Sequence, residues 1–152
     1  MKKPQEGEPA PDFEVPDQDG NPVSLSKLRG RKVVLFFYPK DNTPGCTLQA
    51  CSLRDHIQEI GAAGAVVLGV SPDSVKSHRK FADRFDLPFT LLADTDHEMA
   101  TAYGVWKQKS MFGRKYWGNE RTTFVIDEEG RVAHVLVKVK PTGHTDEVLA
   151  LL

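Results

Sequence analysis

The sequence predicts an α/β fold, a mixed central sheet flanked by helices with a short β-hairpin added at the N-terminal end. Three observations carry this. Val33–Tyr38 is a continuous run of β-branched, Leu and aromatic residues, the pattern of a strand buried on both faces. Ala65–Ser71 is a second such run, and a helical pattern lies between the two, which makes a β-α-β unit. Thr122–Asp127 and Val132–Val139 flank Glu128-Glu129-Gly130, the signature of an antiparallel hairpin.

Taken in order, Phe13-Glu14-Val15 is a short strand pattern, and Asp17–Asn21 is a turn cluster with the glycine a hairpin wants. Val23 and Leu25 suggest the return strand. Ser26–Arg29 fits one helical turn closed by Gly30. Pro39 ends the central strand because proline cannot donate to the ladder, and Lys40–Gly45 is a turn-rich connector. The helix that starts at or near Cys46 carries Leu48, Leu53, Ile57 and Ile60 as a partial apolar face and ends at Gly61 and Gly64.

After the second buried strand, Pro72 and Asp73 open a helix in which Val75, His78, Phe81, Ala82 and Phe85 recur at helical spacing. His78 reads as a packed or half-exposed histidine. Leu87–Ala93 is a third strand, and Asp94-Thr95-Asp96 caps a shorter helix with Met99, Ala102 and Tyr103, stopped by Gly104. Trp106–Asn119 is the least regular stretch, basic at Lys107, Lys109, Arg114 and Lys115 and aromatic at Phe112, Tyr116 and Trp117. It fits a solvated loop or hairpin, or a docking surface beside the site. Thr142–Leu152 is a last helix with Val148, Leu149 and Leu152 on its apolar side and Asp146 and Glu147 near its positive end. The order β-α-β-α-β-α-β-β-α is that of a thioredoxin-like core with an N-terminal hairpin.

At 152 residues the chain is expected to form one domain, residues 1–152, long enough for a real core. A net charge of −1 and a pI near 6.5 give no reason to expect nucleic acid or an anionic membrane as partner. No apolar run approaches the roughly 20 residues of a membrane span. Met1–Pro11 is charged and proline-rich with no signal-peptide core, so the cytoplasm is the expected location. There a disulfide is more often catalytic than structural.

Cys46 and Cys51 are the chain's two cysteines. Cys46 falls in the first turn of a helix at the carboxyl end of a central strand, where chemistry collects in open α/β sheets. The unpaired amides and positive dipole end favour a thiolate and depress the thiol below its free value of about 8.5. Five residues of straight helix place the two Cα atoms roughly 8–9 Å apart, and a disulfide tolerates at most about 7 Å. The two sulfurs can therefore meet only if part of the helix unwinds. Two small buried hydrophobes is the alternative reading. Zinc fits poorly, because Cys46, Cys51 and His56 point in different directions along one helix and no CxxC pair is present.

Pro39-x-x-x-Thr43-x-x-Cys46 resembles the active-site signature of the peroxiredoxins, and the longer string Phe37–Thr47 resembles their Q-type, or bacterioferritin-comigratory, group. Cys51 falls where many of that group keep a resolving cysteine, and Arg121–Asp127 resembles the segment carrying the family's active-site arginine. The likeness runs from about Gly7 to the carboxyl end. It implies a thiol peroxidase for hydrogen peroxide and organic hydroperoxides. Cys46 would be peroxidatic, Thr43 and Arg121 its polar partners, and Pro39 a lid. Cys51 would resolve the sulfenic acid as a Cys46–Cys51 disulfide, making this an atypical two-cysteine enzyme. Thioredoxin or a similar dithiol would be the reductant. No metal, haem or flavin is called for, and the resembling group sets the expectation of a monomer. A disulfide oxidoreductase of the same fold and a redox-sensing holdase are the rival readings. The first is weakened by Cys-x4-Cys spacing.

Overall fold

The computed structural model describes residues 2–152. It opens with a hairpin of β1 (Glu14–Pro16) and β2 (Pro22–Ser24), with Val15 opposite Val23. A 3-10 turn at Leu25–Leu28 leads into β3 (Lys32–Phe37), then α1 (Pro44–Asp55), α2 (Ile57–Ala62), β4 (Ala65–Ser71), α3 (Val75–Phe85) and β5 (Thr90–Ala93). The rest is α4 (Glu98–Ala102), β6 (Trp106–Met111), β7 (Arg114–Asn119), β8 (Thr122–Ile126), β9 (Val132–Leu136) and α5 (His144–Ala150).

The central sheet has the order β5-β4-β3-β8-β9, so the most apolar strand occupies the middle. β3 runs parallel to β4, Val33 beside Val66, and antiparallel to β8, Val33 beside Ile126. Side chains alternate across a strand. Val33, Leu35 and Phe37 therefore enter one core, with Phe124, Ile126, Tyr103 and Val15 of the hairpin. Val34, Phe36 and Tyr38 enter the other, with Ala50, Leu53, Phe81, Val148 and Cys46 itself. Helices α1, α3 and α5 close that second core, so the cysteine is anchored by the same apolar contacts that hold the sheet. Gly69 of β4 stays bare for a reason: a Cβ there would lie 2.8 Å from Phe36 Cζ and 2.9 Å from Leu91 Cδ2.

The structure refines the sequence expectations at several points, with α1 starting at Pro44 rather than Cys46 and β5 at Thr90 rather than Leu87. The helix expected from Cys46 to Gly61 is broken at His56 (φ −116°, ψ 14°). His56 Nδ1 lies 2.9 Å from Ser52 O, the carbonyl its own amide would have used, and that amide turns to Leu53 O. Helix α3 is capped by Ser74, whose Oγ accepts from the Ser77 amide at 3.1 Å, while Asp73 accepts from the Asp41 amide. Asp94 does cap α4, but across a gap, accepting from the Met99 and Ala100 amides at 3.0 Å each. The stretch 106–119 takes the hairpin form among its expected alternatives, a regular two-stranded ribbon with Trp106 opposite Asn119 through Met111 opposite Arg114. Its turn places Phe112 at φ 52° before Gly113 at φ 78°. A bulky residue in that left-handed position hides the usual turn signature. Strand β9 ends at Leu136 because Lys138 turns back at φ 49° and the Val139 amide bonds Arg121 O at 2.8 Å. Among the described residues no helix is long and apolar enough to cross a membrane.

Candidate active site

The site grows out of the end of β3. The Tyr38 amide still bonds Val70 O, and Pro39 then closes the ladder. The connector is pinned by a polar knot. Asp41, 7% exposed, accepts from Tyr38 Oη at 2.5 Å, from Ser77 Oγ at 2.8 Å and pairs with His78 Nδ1 at 2.7 Å. His78 Nε2 reaches Leu92 O at 2.8 Å, and Asp73 accepts from the Asp41 amide and from Ser71 Oγ. Burial, then Asp41, pushes the Tyr38 phenol well above its ordinary value, so it stays a donor. Both Asp41 oxygens and Asp73 Oδ2 are taken up by protein donors, and the knot fixes the loop that leads to Cys46.

Asn42 (φ 60°) turns that loop, a conformation asparagine tolerates, and α1 begins with Pro44. Cys46 is the third helical residue, and the first bond within this turn is Thr47 N to Thr43 O at 2.9 Å. The thiol thus sits among amides that the helix leaves without a carbonyl. Its residue is 2% exposed.

Arg121, just before β8, supplies the cation. Nη2 donates to Cys46 Sγ at 3.3 Å and Nη1 to Gln49 Oε1 at 2.6 Å. The rigid guanidinium fork therefore spans two side chains one helical turn apart, a reach lysine does not share. Gly45 keeps the approach open: a Cβ there would lie 3.4 Å from Arg121 Nη2 and 3.3 Å from Pro141 Cγ.

Of the residues expected from sequence, Cys46 and Arg121 are brought together directly. Thr43 is the N-terminal boundary residue of α1, and its Oγ1 donates to Lys40 O at 2.9 Å rather than capping the helix. Pro39 is half-buried between strand and loop. Cys51 is half-buried, both thiols are free, and one unbroken helix carries them. The unwinding demanded by their spacing therefore still applies.

Gln49 and His144 escaped the sequence reading, which named Lys109 only as one basic residue of the stretch 106–119. Gln49 is fully buried and stands three residues after Cys46, so helical spacing from the cysteine was a usable signal. Lys109 of β6 donates from Nζ to Asn119 O, and burial first, then Arg121, lowers its pKa below the ordinary lysine value. His144, fully buried at the start of α5, lies 3.3 Å through Nδ1 from Gln49 Nε2 and 2.8 Å through Nε2 from Thr123 Oγ1. No local pattern marks it.

A thiol beside a fixed guanidinium at a helix N-terminus is built for nucleophilic attack in which charge leaves sulfur. The profile of the AhpC/TSA family matches residues 7–135. Peroxiredoxin Bcp of Bacillus subtilis (strain 168) is 48% identical over 146 residues, 96% of this chain and 93% of its own. Peroxiredoxin Bcp of Escherichia coli (strain K12) is 46% identical over 143 residues, 94% and 92% of the two chains. Among solved structures, the bacterioferritin comigratory protein of Xanthomonas campestris, described for its alkyl peroxide reduction activity, superposes with a TM-score of 0.89 at 38% identity, covering 96% of each chain.

Proposed function

We propose that this chain, which belongs to the AhpC/TSA family and within it to the Bcp peroxiredoxins, reduces hydrogen peroxide and organic hydroperoxides through Cys46. The observation that carries the reading is the 3.3 Å contact from Arg121 Nη2 to Cys46 Sγ in the first turn of α1. The thiolate attacks one peroxide oxygen, and the S–O bond forms as the O–O bond breaks. The other oxygen takes the electron pair and a proton and leaves as water or alcohol. Negative charge passes from sulfur to that oxygen, and the guanidinium and the free amides of the turn can follow it without reorganising. The alkyl peroxide activity of the Xanthomonas relative supports the organic substrates.

The remaining sulfenic acid condenses with the Cys51 thiol and expels water, leaving a Cys46–Cys51 disulfide. The end of α1 yields most easily for this. The helix already breaks at His56, and Leu48 between the two cysteines is 48% exposed. Thiol–disulfide exchange with thioredoxin or a similar dithiol then restores both thiols. The cycle needs no second copy, which is compatible with the monomer that the family resemblance implies, and a reducing compartment such as the cytoplasm would supply the dithiol. Thr43 and Pro39 enclose the peroxide in this scheme. The test is thioredoxin-coupled peroxide consumption by the wild type and by Cys46→Ser. Loss of turnover in the variant is expected, and equal rates would end the reading.

A further inference from the structure

His144 takes no part in the chemistry above, yet it lies at the far end of a continuous polar chain from the thiol. The chain runs Cys46 Sγ, Arg121, Gln49, His144, Thr123, with contacts of 3.3, 2.6, 3.3 and 2.8 Å. Gln49, His144 and Thr123 are each fully buried. The direction of every link follows from its neighbour. A guanidinium only donates, so Gln49 must turn Oε1 to Arg121. That leaves the Gln49 amide NH2 facing His144, whose Nδ1 must then accept. His144 is consequently neutral, with its proton on Nε2 and donated to Thr123 Oγ1. The electrostatics agree. Burial, then the Arg121 charge, lowers the His144 imidazole to about 4.

We infer that His144 is a positioning residue for peroxide reduction: by accepting from Gln49 it locks the side-chain amide in the one orientation that holds the Arg121 guanidinium against Cys46 Sγ. Without that acceptor the Gln49 amide can rotate and present NH2 to the guanidinium, a donor facing a donor. Arg121 then loses the bond at Nη1 that fixes its fork. A second contact between the same helices, Ser52 Oγ to Thr145 Oγ1 at 2.7 Å, joins α1 to α5 without touching this chain. It supplies the control for mere packing.

The inference rests on the peroxidase reading, and the experiment separates the two. In a Cys51→Ser background, with Cys46 the only thiol, iodoacetamide alkylation is measured against pH and peroxide reaction by stopped flow. His144→Phe keeps a ring but removes the acceptor. It should slow the peroxide reaction on the order of tenfold, the size of one hydrogen bond to a charged group, and move the alkylation profile to higher pH. His144→Asn offers Oδ1 near the place of Nδ1 and should restore both, and Thr145→Ala should change neither. Equal losses in His144→Phe and His144→Asn, a matching loss in Thr145→Ala, or no loss in His144→Phe overturns the inference. Nitrogen-15 chemical shifts of His144 in the wild type test it without any substitution. The Nε2–H neutral tautomer at pH 7 is expected, and the Nδ1–H tautomer refutes it. A parent protein inert to peroxide would sink the peroxidase reading alone, because the alkylation profile still reports on Arg121.

Discussion

Replacing Arg121 by Met removes the cation and keeps an apolar stem of similar reach. Two unit charges at the observed 3.3 Å attract by about 5 kcal/mol at an effective dielectric of 20. Part of that is offset by the desolvation of the guanidinium, which is only partly covered. Removing one preorganised donor from a developing oxyanion costs roughly 10²–10³-fold in rate, or about 3–4 kcal/mol, and the gross attraction leaves room for such a loss. Arg121→Met should therefore lower the second-order rate constant with hydrogen peroxide by about 10²–10³-fold. It also strips Gln49 Oε1 of its donor, a stability cost of roughly 1–3 kcal/mol, so the rate is read alongside a thermal melt. Arg121→Lys can reach the sulfur or Gln49 but not both, and should fall between. The rate constants come from stopped-flow mixing with limiting peroxide. A folded Arg121→Met protein within threefold of the wild type, itself far inside the expected loss, would refute the reasoning.

Other outcomes follow from the same geometry. Cys51→Ser should consume one equivalent of peroxide at the wild-type rate and then turn over slowly with thioredoxin, which coupled turnover against single-turnover kinetics will show. Asp41→Ala strands Tyr38, Ser77 and His78 without their shared acceptor and should cost about 3 kcal/mol in urea unfolding, with a slower peroxide reaction because the loop before Cys46 loosens. His144, held at about 4 in the fold against about 6.5 when unfolded, makes the unfolded chain bind more protons between those values. Its contribution is complete above pH 6.5 and is lost as pH falls toward 4, about 3 kcal/mol at most. His144→Asn should flatten that part of the stability–pH curve. Gly69→Ala should destabilise by about 1–3 kcal/mol, because Phe36 and Leu91 already occupy the space; a neutral substitution would show the sheet can shift.

What could be read from the chain divides along physical lines. β3, β4 and β8 were visible because strands buried on both faces must be apolar throughout, and the helix after β3 because apolar spacing carries it; its true start at Pro44 was hidden because Pro-Gly also reads as a turn. Cys46 and Arg121 were visible through motif resemblance, and the contact between them follows from the pairing of β3 with β8. His56, Lys138 and Phe112 were not legible in the same way. Each redirects the backbone by a side-chain bond, a distant partner or a strained φ, and none of these has a composition signal. Gln49 and His144 meet across 95 residues, so no window along the sequence contains both. The role of the 106–119 ribbon stays with its geometry: it is regular, it is basic, and through Lys109 it reaches the surroundings of Arg121.

The most direct test of a reactive thiol governed by Arg121 is intact-protein mass spectrometry after one equivalent of hydrogen peroxide. A wild-type protein lighter by two hydrogens, with a peptide linking Cys46 to Cys51, is the expected product, and Cys46→Ser should keep its mass. An unchanged wild-type mass, or oxidation confined to Cys51 or to methionine, would contradict the account.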